Sequence, residues 1–561
     1  MTTHATILDA LLARATSNGN DRALLQKLRG RWAETSWSGY ATAVAEVGEG
    51  LAGLGVSKGD KVAILVDNRP AMLYLDFGAQ AIGAVSVPVL TAALHDDVVD
   101  VLRRVAPSVV VVQDTAWLDV VLASLSNVRH IVHVDTAGVS SYQDSRLVDY
   151  AELRASGRSG GASIDSLARR ASALAADSLV TMVASSGATG PMRTFGFTAG
   201  QVVDAASVVA ARFPLQPGEF VLAQVPLAAS AERAVTSYSS IITGAVVAFP
   251  ESVETAAAAA SEIEPHFVHS PTGLLDSSSF DSLQRLERNR RLKKFVALGW
   301  RKSSLGGKPA SGFWHAVVGQ FIVRLLGARR TRTVLVSGSS VQVRTAHFMR
   351  ALRLPLVDTY TVSACFAPVM LASNAEDGFD ETLDGVETDV TTAGRLRLRG
   401  RLVSKDALGN GWCETNDRVT QRNGKIVVLG PATLDTTIES VREIELVIAA
   451  SPYIGRAVVT TGAGGVGILI EVEPLALSEW AQANKVPFTT VATILDNASA
   501  QQLFVDEVKS LMERLSTRPN VSELRLLRRQ LGVDSGDLTA TGKLRRSRVA
   551  GLADVVVVRL G

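Results

Sequence analysis

The chain is poor in the residues that mark several common chemistries. Only two cysteines, Cys365 and Cys413, stand in 561 residues, far apart in sequence. That excludes a disulfide framework and points to a reducing cytoplasm. Neither cysteine has zinc-ligand spacing to another ligand. His130/His133 and His266/His269 are three apart in β-like runs, where such residues face opposite sides, so shared metal binding is not expected and no metal site is assigned. No Gly-x-Ser-x-Gly elbow of a serine hydrolase is expected. Lys and Arg total 57 against 55 Asp and Glu, a net charge of +2. No global basic field therefore argues for nucleic acid. No apolar run reaches membrane-spanning length, and the first residues, "MTTHATILDALLARATSNGN", lack the basic start and apolar core of a signal peptide.

What is present is an α/β texture. "KVAILVDN" (61–68), "SVVVVQD" (108–114), "HIVHVD" (130–135) and "TVLVSG" (333–338) read as buried strands. Segments such as "AMLYLDFGAQAIGA" between them carry apolar residues at helical spacing. Strands alternating with helices imply layered, mostly parallel sheets. After "GKIVVLG" (424–430) the texture becomes compact α+β. "VREIELVIAASPYI" reads as a helix and "GRAVVTTGAGGVGILIEVEP" as a hairpin with a Gly-rich turn. The expected domains are residues 1–429 and 430–561. A basic run, "RLERNRRLKKFVALGWRK" (285–302), has eight Lys/Arg and one Glu. It reads as a solvated helix face or as a peripheral membrane contact anchored by Phe295 and Trp300.

"SSGATG" (185–190) has the small residues that let a backbone curl around phosphate oxygens. No Gly-Lys-Ser/Thr closes it, so it is not a Walker loop. "LTATGKLRR" (538–546) fails the same test, by one residue of spacing and by Leu544 where a hydroxyl is required.

The order of motifs is more specific than any one. "SSGATG" is followed by "VPLAASAER" (225–233), "VSGSS" (336–340), "VDTYTVSAC" (357–365), "GWCETNDRV" (411–419) and "LTATGKLRR". This series resembles the acyl-CoA synthetase and adenylate-forming (AMP-binding) superfamily, most of all its bacterial long-chain fatty acyl-CoA synthetases. The resemblance spans nearly the whole chain. It implies a large N-terminal domain of α/β subdomains that binds nucleotide and acyl group, and a small mobile C-terminal domain. It also implies two steps: a carboxylate attacks the α-phosphate of ATP, and CoA then displaces AMP. The cofactors implied are ATP, Mg²⁺ and CoA. The partners are a fatty acid or related carboxylate and CoA or an acyl carrier protein.

Carried over residue by residue, the resemblance assigns nucleotide binding to Ser185, Ser186, Gly187, Thr189, Gly190, Arg193, Tyr360 and Asp417. Arg193 falls on the loop's lysine position, Tyr360 would flank the adenine, and Asp417 would accept from the ribose hydroxyls. Lys543 and Ser363 are the expected catalytic residues, Lys543 placing charge at the carboxylate and α-phosphate. Besides Arg193 for lysine, Met192 for proline, Ser363 for threonine and Asn416 for glycine, further positions depart from the family pattern. Ala188 replaces a hydroxyl, and Ala229 a histidine near the acyl pocket. Ala364 replaces the glutamate that helps hold Mg²⁺, for which Asp358 is a partial substitute. Pro431 replaces the hinge arginine, and the segment from Gly430 to Glu445 is about five residues short and lacks the glycine turn. Two further readings stay open: a catalytically impaired acyl- or nucleotide-binding protein, and an acyl-AMP ligase delivering to a carrier protein.

Overall fold

The computed structural model describes residues 4–276, 319–338, 341–373, 378–432, 440–462, 465–515, 519–539 and 541–560. The basic run 285–302 and the end of the "VSGSS" motif lie outside the described residues.

Among the described residues, four sheets organise the fold. In the seven-stranded sheet, Leu147–Asp149, His130–His133, Val109–Val112, Lys61–Leu65, Val85–Pro88 and Leu179–Ala184 run parallel, and Thr194–Thr198 closes one edge antiparallel. The nine-stranded sheet is parallel through its centre, where Phe267–Pro271, Thr333–Ser337 and Leu356–Tyr360 lie side by side. The four runs read from sequence as strands all form strands. Val109 to Val112 have no exposed surface, which is why a central parallel strand reads as continuous valine rather than as an alternation.

Helices cover these sheets. Trp37–Gly53 packs on Pro70–Ala81, where Pro70 opens the helix with its fixed φ. Ala199–Arg212 begins in a capping box from Thr198 and Gln201. One large apolar core joins residues of both sheets, including Val62, Val183, Val221 and Leu335.

The chain then enters a four-stranded antiparallel sheet over Glu387–Val390, Arg395–Arg399, Cys413–Arg422 and Lys425–Pro431. The last strand extends through Pro431, which pairs with Asp417. Beyond it, residues from Val441 onward build their own core, with Ile448, Ile468, Phe504 and Leu524 fully buried. There Ile454–Gly462 and Gly465–Val472 form the expected antiparallel hairpin, extended by Val521–Leu527 and Val555–Arg559. The preceding helix is shorter than the sequence pattern suggests. It spans Val441–Ile448 and gives way to a turn over "AASP". Pro452 cannot donate to a helical ladder and disfavours helix in the residue before it.

Candidate active site

The strands of the two large sheets deliver several residues to one cleft from their carboxyl ends, the usual place for ligands in α/β sheets. Ser185 follows Leu179–Ala184, and Tyr360 ends Leu356–Tyr360. The small C-terminal region faces them. Between lies a cavity of about 1220 Å³. All ten residues singled out from the sequence line it: Ser185, Ser186, Gly187, Thr189, Gly190, Arg193, Tyr360, Ser363, Asp417 and Lys543.

The Gly-rich loop is pinned at its base. Ser185 N–H donates to the Arg193 carbonyl at 2.7 Å, and Arg193 N–H donates to Ser185 Oγ at 2.8 Å. Gly187 and Gly190 have φ of 70° and 150°, conformations that a side chain resists. At its tip Asn416 Nδ2 reaches Thr189 Oγ1 at 3.4 Å. The Arg193 guanidinium lies 5.3 Å from the Phe195 ring centroid, in cation–π range.

Lys543 arrives on a turn of its own. Its N–H donates to Thr539 Oγ1 at 3.0 Å, and Thr539 N–H donates to the Lys543 carbonyl at 2.7 Å. Gly542, at φ 76°, turns the chain so that Lys543 enters the cavity. Desolvation pushes its pKa down, and Asp417 pulls it back. Asp417 also accepts from the Tyr360 hydroxyl at 2.5 Å. Burial and this carboxylate push the Tyr360 phenol well above its usual range.

Three contacts hold the C-terminal region against the large sheets. Arg442 lies 3.5 Å from Asp358, with its guanidinium 5.7 Å from the Phe379 ring centroid. Arg545 pairs with Asp97 at 2.7 Å, and Gln342 donates to the Gly455 carbonyl at 2.7 Å. Arg442 is a residue that sequence reasoning misses: "VREIEL" gives no sign that an arginine bridges to a strand some eighty residues earlier.

Ala364 presents a buried methyl group. Asp358, expected to substitute in part for the missing glutamate, lines the cavity, is buried and lies 3.5 Å from Arg442. Asp417 is held by Tyr360, and Glu445 by Arg546 through two 2.7 Å bonds. Among the described residues no group of three His, Cys, Asp or Glu could hold a metal ion.

His266 approaches Glu219 at 3.8 Å, whereas His269 faces Glu232. The letters Gly-x-Ser-x-Gly do occur, at Gly157–Gly161, but at the end of the helix Tyr150–Ser159 rather than at a strand end. Among the described residues no helix is long and apolar enough to cross a membrane.

Comparison with known proteins agrees with this architecture. The chain is 25% identical over 582 residues to the long-chain-fatty-acid–CoA ligase FadD15 of Mycobacterium tuberculosis, covering 94% of this chain and 93% of that protein. A benzoate CoA ligase from Burkholderia xenovorans superposes with a TM-score of 0.72 at 13% identity, over 97% of this chain and 99% of that one. An O-succinylbenzoate–CoA synthetase from Bacillus subtilis, solved with ATP and magnesium ion, gives 0.65 at 15% identity, over 96% of this chain and 98% of that one. These structures share the fold, that of adenylate-forming enzymes. The profile described as AMP-binding enzyme matches residues 11–434, and with the cavity built as above, the chain belongs to the AMP-binding enzyme family.

Proposed function

We propose that the protein activates a carboxylate with ATP, releasing pyrophosphate, and passes the acyl group from the adenylate to the thiol of CoA. One observation carries the reading. Lys543 lines the same cavity as the Ser185–Gly190 loop and Asp417, whose charge it feels. In this arrangement the loop's N–H groups face phosphate oxygens, Asp417 accepts from ribose, and Lys543 meets the charge that develops on the α-phosphate. The carboxylate oxygen attacks phosphorus, the bond to the bridging oxygen breaks, and pyrophosphate leaves with its electron pair. Mg²⁺, if bound, would supply positive charge to the nucleotide's phosphates.

The acyl group is a fatty acid on this reading. The support is the relationship to FadD15 and a cavity larger than the roughly 300–1,000 Å³ typical of ligand sites. A second reading, nucleotide or acyl binding without turnover, is favoured by the methyl group of Ala364 and by Pro431, held in a strand opposite Asp417. Carboxylate-dependent exchange of labelled pyrophosphate into ATP separates the two. With fatty acids, exchange supports activation. Calorimetric ATP binding without exchange supports the second reading. Once exchange is seen, product formation with CoA or with an acyl carrier protein identifies the acceptor.

A further inference from the structure

Beside the main cavity lies a smaller one of about 50 Å³, sharing Ser186, Gly338, Ser363 and Lys543 with it. Its wall also contains Glu232, His269 and Ser337. These three form one hydrogen-bonded chain. His269 Nδ1 meets Glu232 Oε2, and His269 Nε2 lies 2.9 Å from Ser337 Oγ. The imidazole is 1% exposed and Glu232 not at all. With both ring nitrogens engaged, one tautomer satisfies both partners and leaves Nε2 as the acceptor of the serine proton: Nδ1–H donates to the carboxylate, and the Ser337 hydroxyl donates to Nε2.

The position of Ser337 is that of a nucleophile. It ends the parallel strand Thr333–Ser337 and is followed by Gly338 at φ 111°, with the helix Val343–Ala351 soon after. Its carbonyl accepts from Thr272 Oγ1 at 3.0 Å, which fixes the backbone while the hydroxyl faces the small cavity. The neighbouring strand residues Val334, Leu335 and Val336 are buried and apolar. Burying the Glu232 carboxylate in such a layer carries a desolvation penalty that its hydrogen bond to His269 offsets. Here that pair ends on a hydroxyl at a cavity wall that Lys543 also lines.

We propose that Glu232, His269 and Ser337 are a second catalytic centre, one that hydrolyses activated acyl groups. Its substrates are esters, thioesters or acyl-phosphate anhydrides. Ser337 Oγ bonds to the acyl carbon as its proton passes to His269 Nε2. The carbonyl electrons move to oxygen, near the Lys543 ammonium. They return as the bond to the leaving group breaks; the proton on His269 passes to the leaving group, or to solvent where that group departs as an anion, so that Nε2 is free again. Water then attacks the acyl-serine, gives a proton to His269, and the Ser337 oxygen leaves with that proton. Glu232 stays ionised and orients the ring. The identification of an acyl-adenylate or acyl thioester as the natural substrate rests on the activity proposed above; the relay itself does not.

The test uses the full-length protein without ATP. A p-nitrophenyl acyl ester serves as substrate and a fluorophosphonate as covalent probe, with the labelled peptide identified by mass spectrometry. The expected result is hydrolysis above the buffer rate and a label on Ser337. Ser337→Ala should remove the label and lower hydrolysis by about a hundredfold or more. Glu232→Gln, checked for fold by circular dichroism, should lower both more than tenfold. A wild-type protein that neither hydrolyses the ester nor takes the label overturns the proposal. So does a Ser337→Ala protein that hydrolyses as fast as the wild type. Pyrophosphate exchange on the same wild-type preparation keeps the two ideas apart: hydrolysis without exchange sinks the ligase reading alone, and exchange without hydrolysis sinks the relay alone.

Discussion

Tyr360 donates its hydroxyl to Asp417 at 2.5 Å, joining two residues 57 apart in sequence at the wall of the main cavity. The bond fixes one carboxylate oxygen and leaves the other for a ligand. Tyr360→Phe keeps the ring and removes the donor. Nucleotide affinity should fall by about 1–3 kcal/mol, the scale of a lost hydrogen bond to a charged group. Calorimetric titration with ATP reads the change; unaltered affinity would show that this bond does not order Asp417 for ribose.

The loop cation makes a separate prediction. Arg193 lines the cavity beside Phe195. Arg193→Ala should weaken ATP binding by about 1–3 kcal/mol. Arg193→Lys keeps the charge but loses the two-donor grip, and should retain at least part of the affinity. If alanine binds ATP as well as arginine does, the guanidinium is a partner of the Phe195 ring only.

Metal dependence follows from Ala364. With a methyl group at this position, the affinity of the wild type for ATP should respond only weakly to added Mg²⁺. Ala364→Glu supplies a hard oxygen ligand and should steepen that response. Titrating Mg²⁺ at fixed ATP for both proteins checks it. A steep wild-type response would locate the ligand on another residue.

Asp358 sets a pH window. Burial pushes its carboxyl up from 3.8 to about 6, with Arg442 pulling it back down. A folded value above the unfolded one favours the protonated carboxyl in the native state. Its contribution to stability is therefore fully present below about 3.8 and is lost as the pH rises through about 6. Urea midpoints measured between about pH 4 and about pH 7 should carry this downward slope in the wild type and lack it in Asp358→Asn. Arg442→Met, which removes the opposing cation, should move the inflection to higher pH.

The sequence made the sheet layers and the site's membership legible because both are local in origin. Valine runs between turn residues specify buried strands. The small residues of Ser185–Gly190 and the turn Thr539–Lys543 carry their conformations in their own chemistry. The partners of charged groups are not local. Nothing near Arg442 announces Asp358, and nothing near His269 announces that the fold sets it between Glu232, on a short helix, and Ser337, on the neighbouring strand. For the same reason Asp358 read as a candidate metal ligand with no sign of Arg442 beside it. The helix after Ser440 was overextended because its apolar pattern continues past Ile448, where Pro452 ends the ladder.

The central claim is that the cavity joining the glycine loop, Asp417 and Lys543 performs adenylation. Carboxylate-dependent pyrophosphate exchange into ATP, compared between the wild type and Lys543→Ala, tests it most directly. The account predicts exchange in the wild type with a fatty acid, a loss of at least about a hundredfold in Lys543→Ala, and ATP affinity in the mutant within a few-fold of the wild type. Equal exchange in both proteins, or none in a wild type that binds ATP, would contradict it.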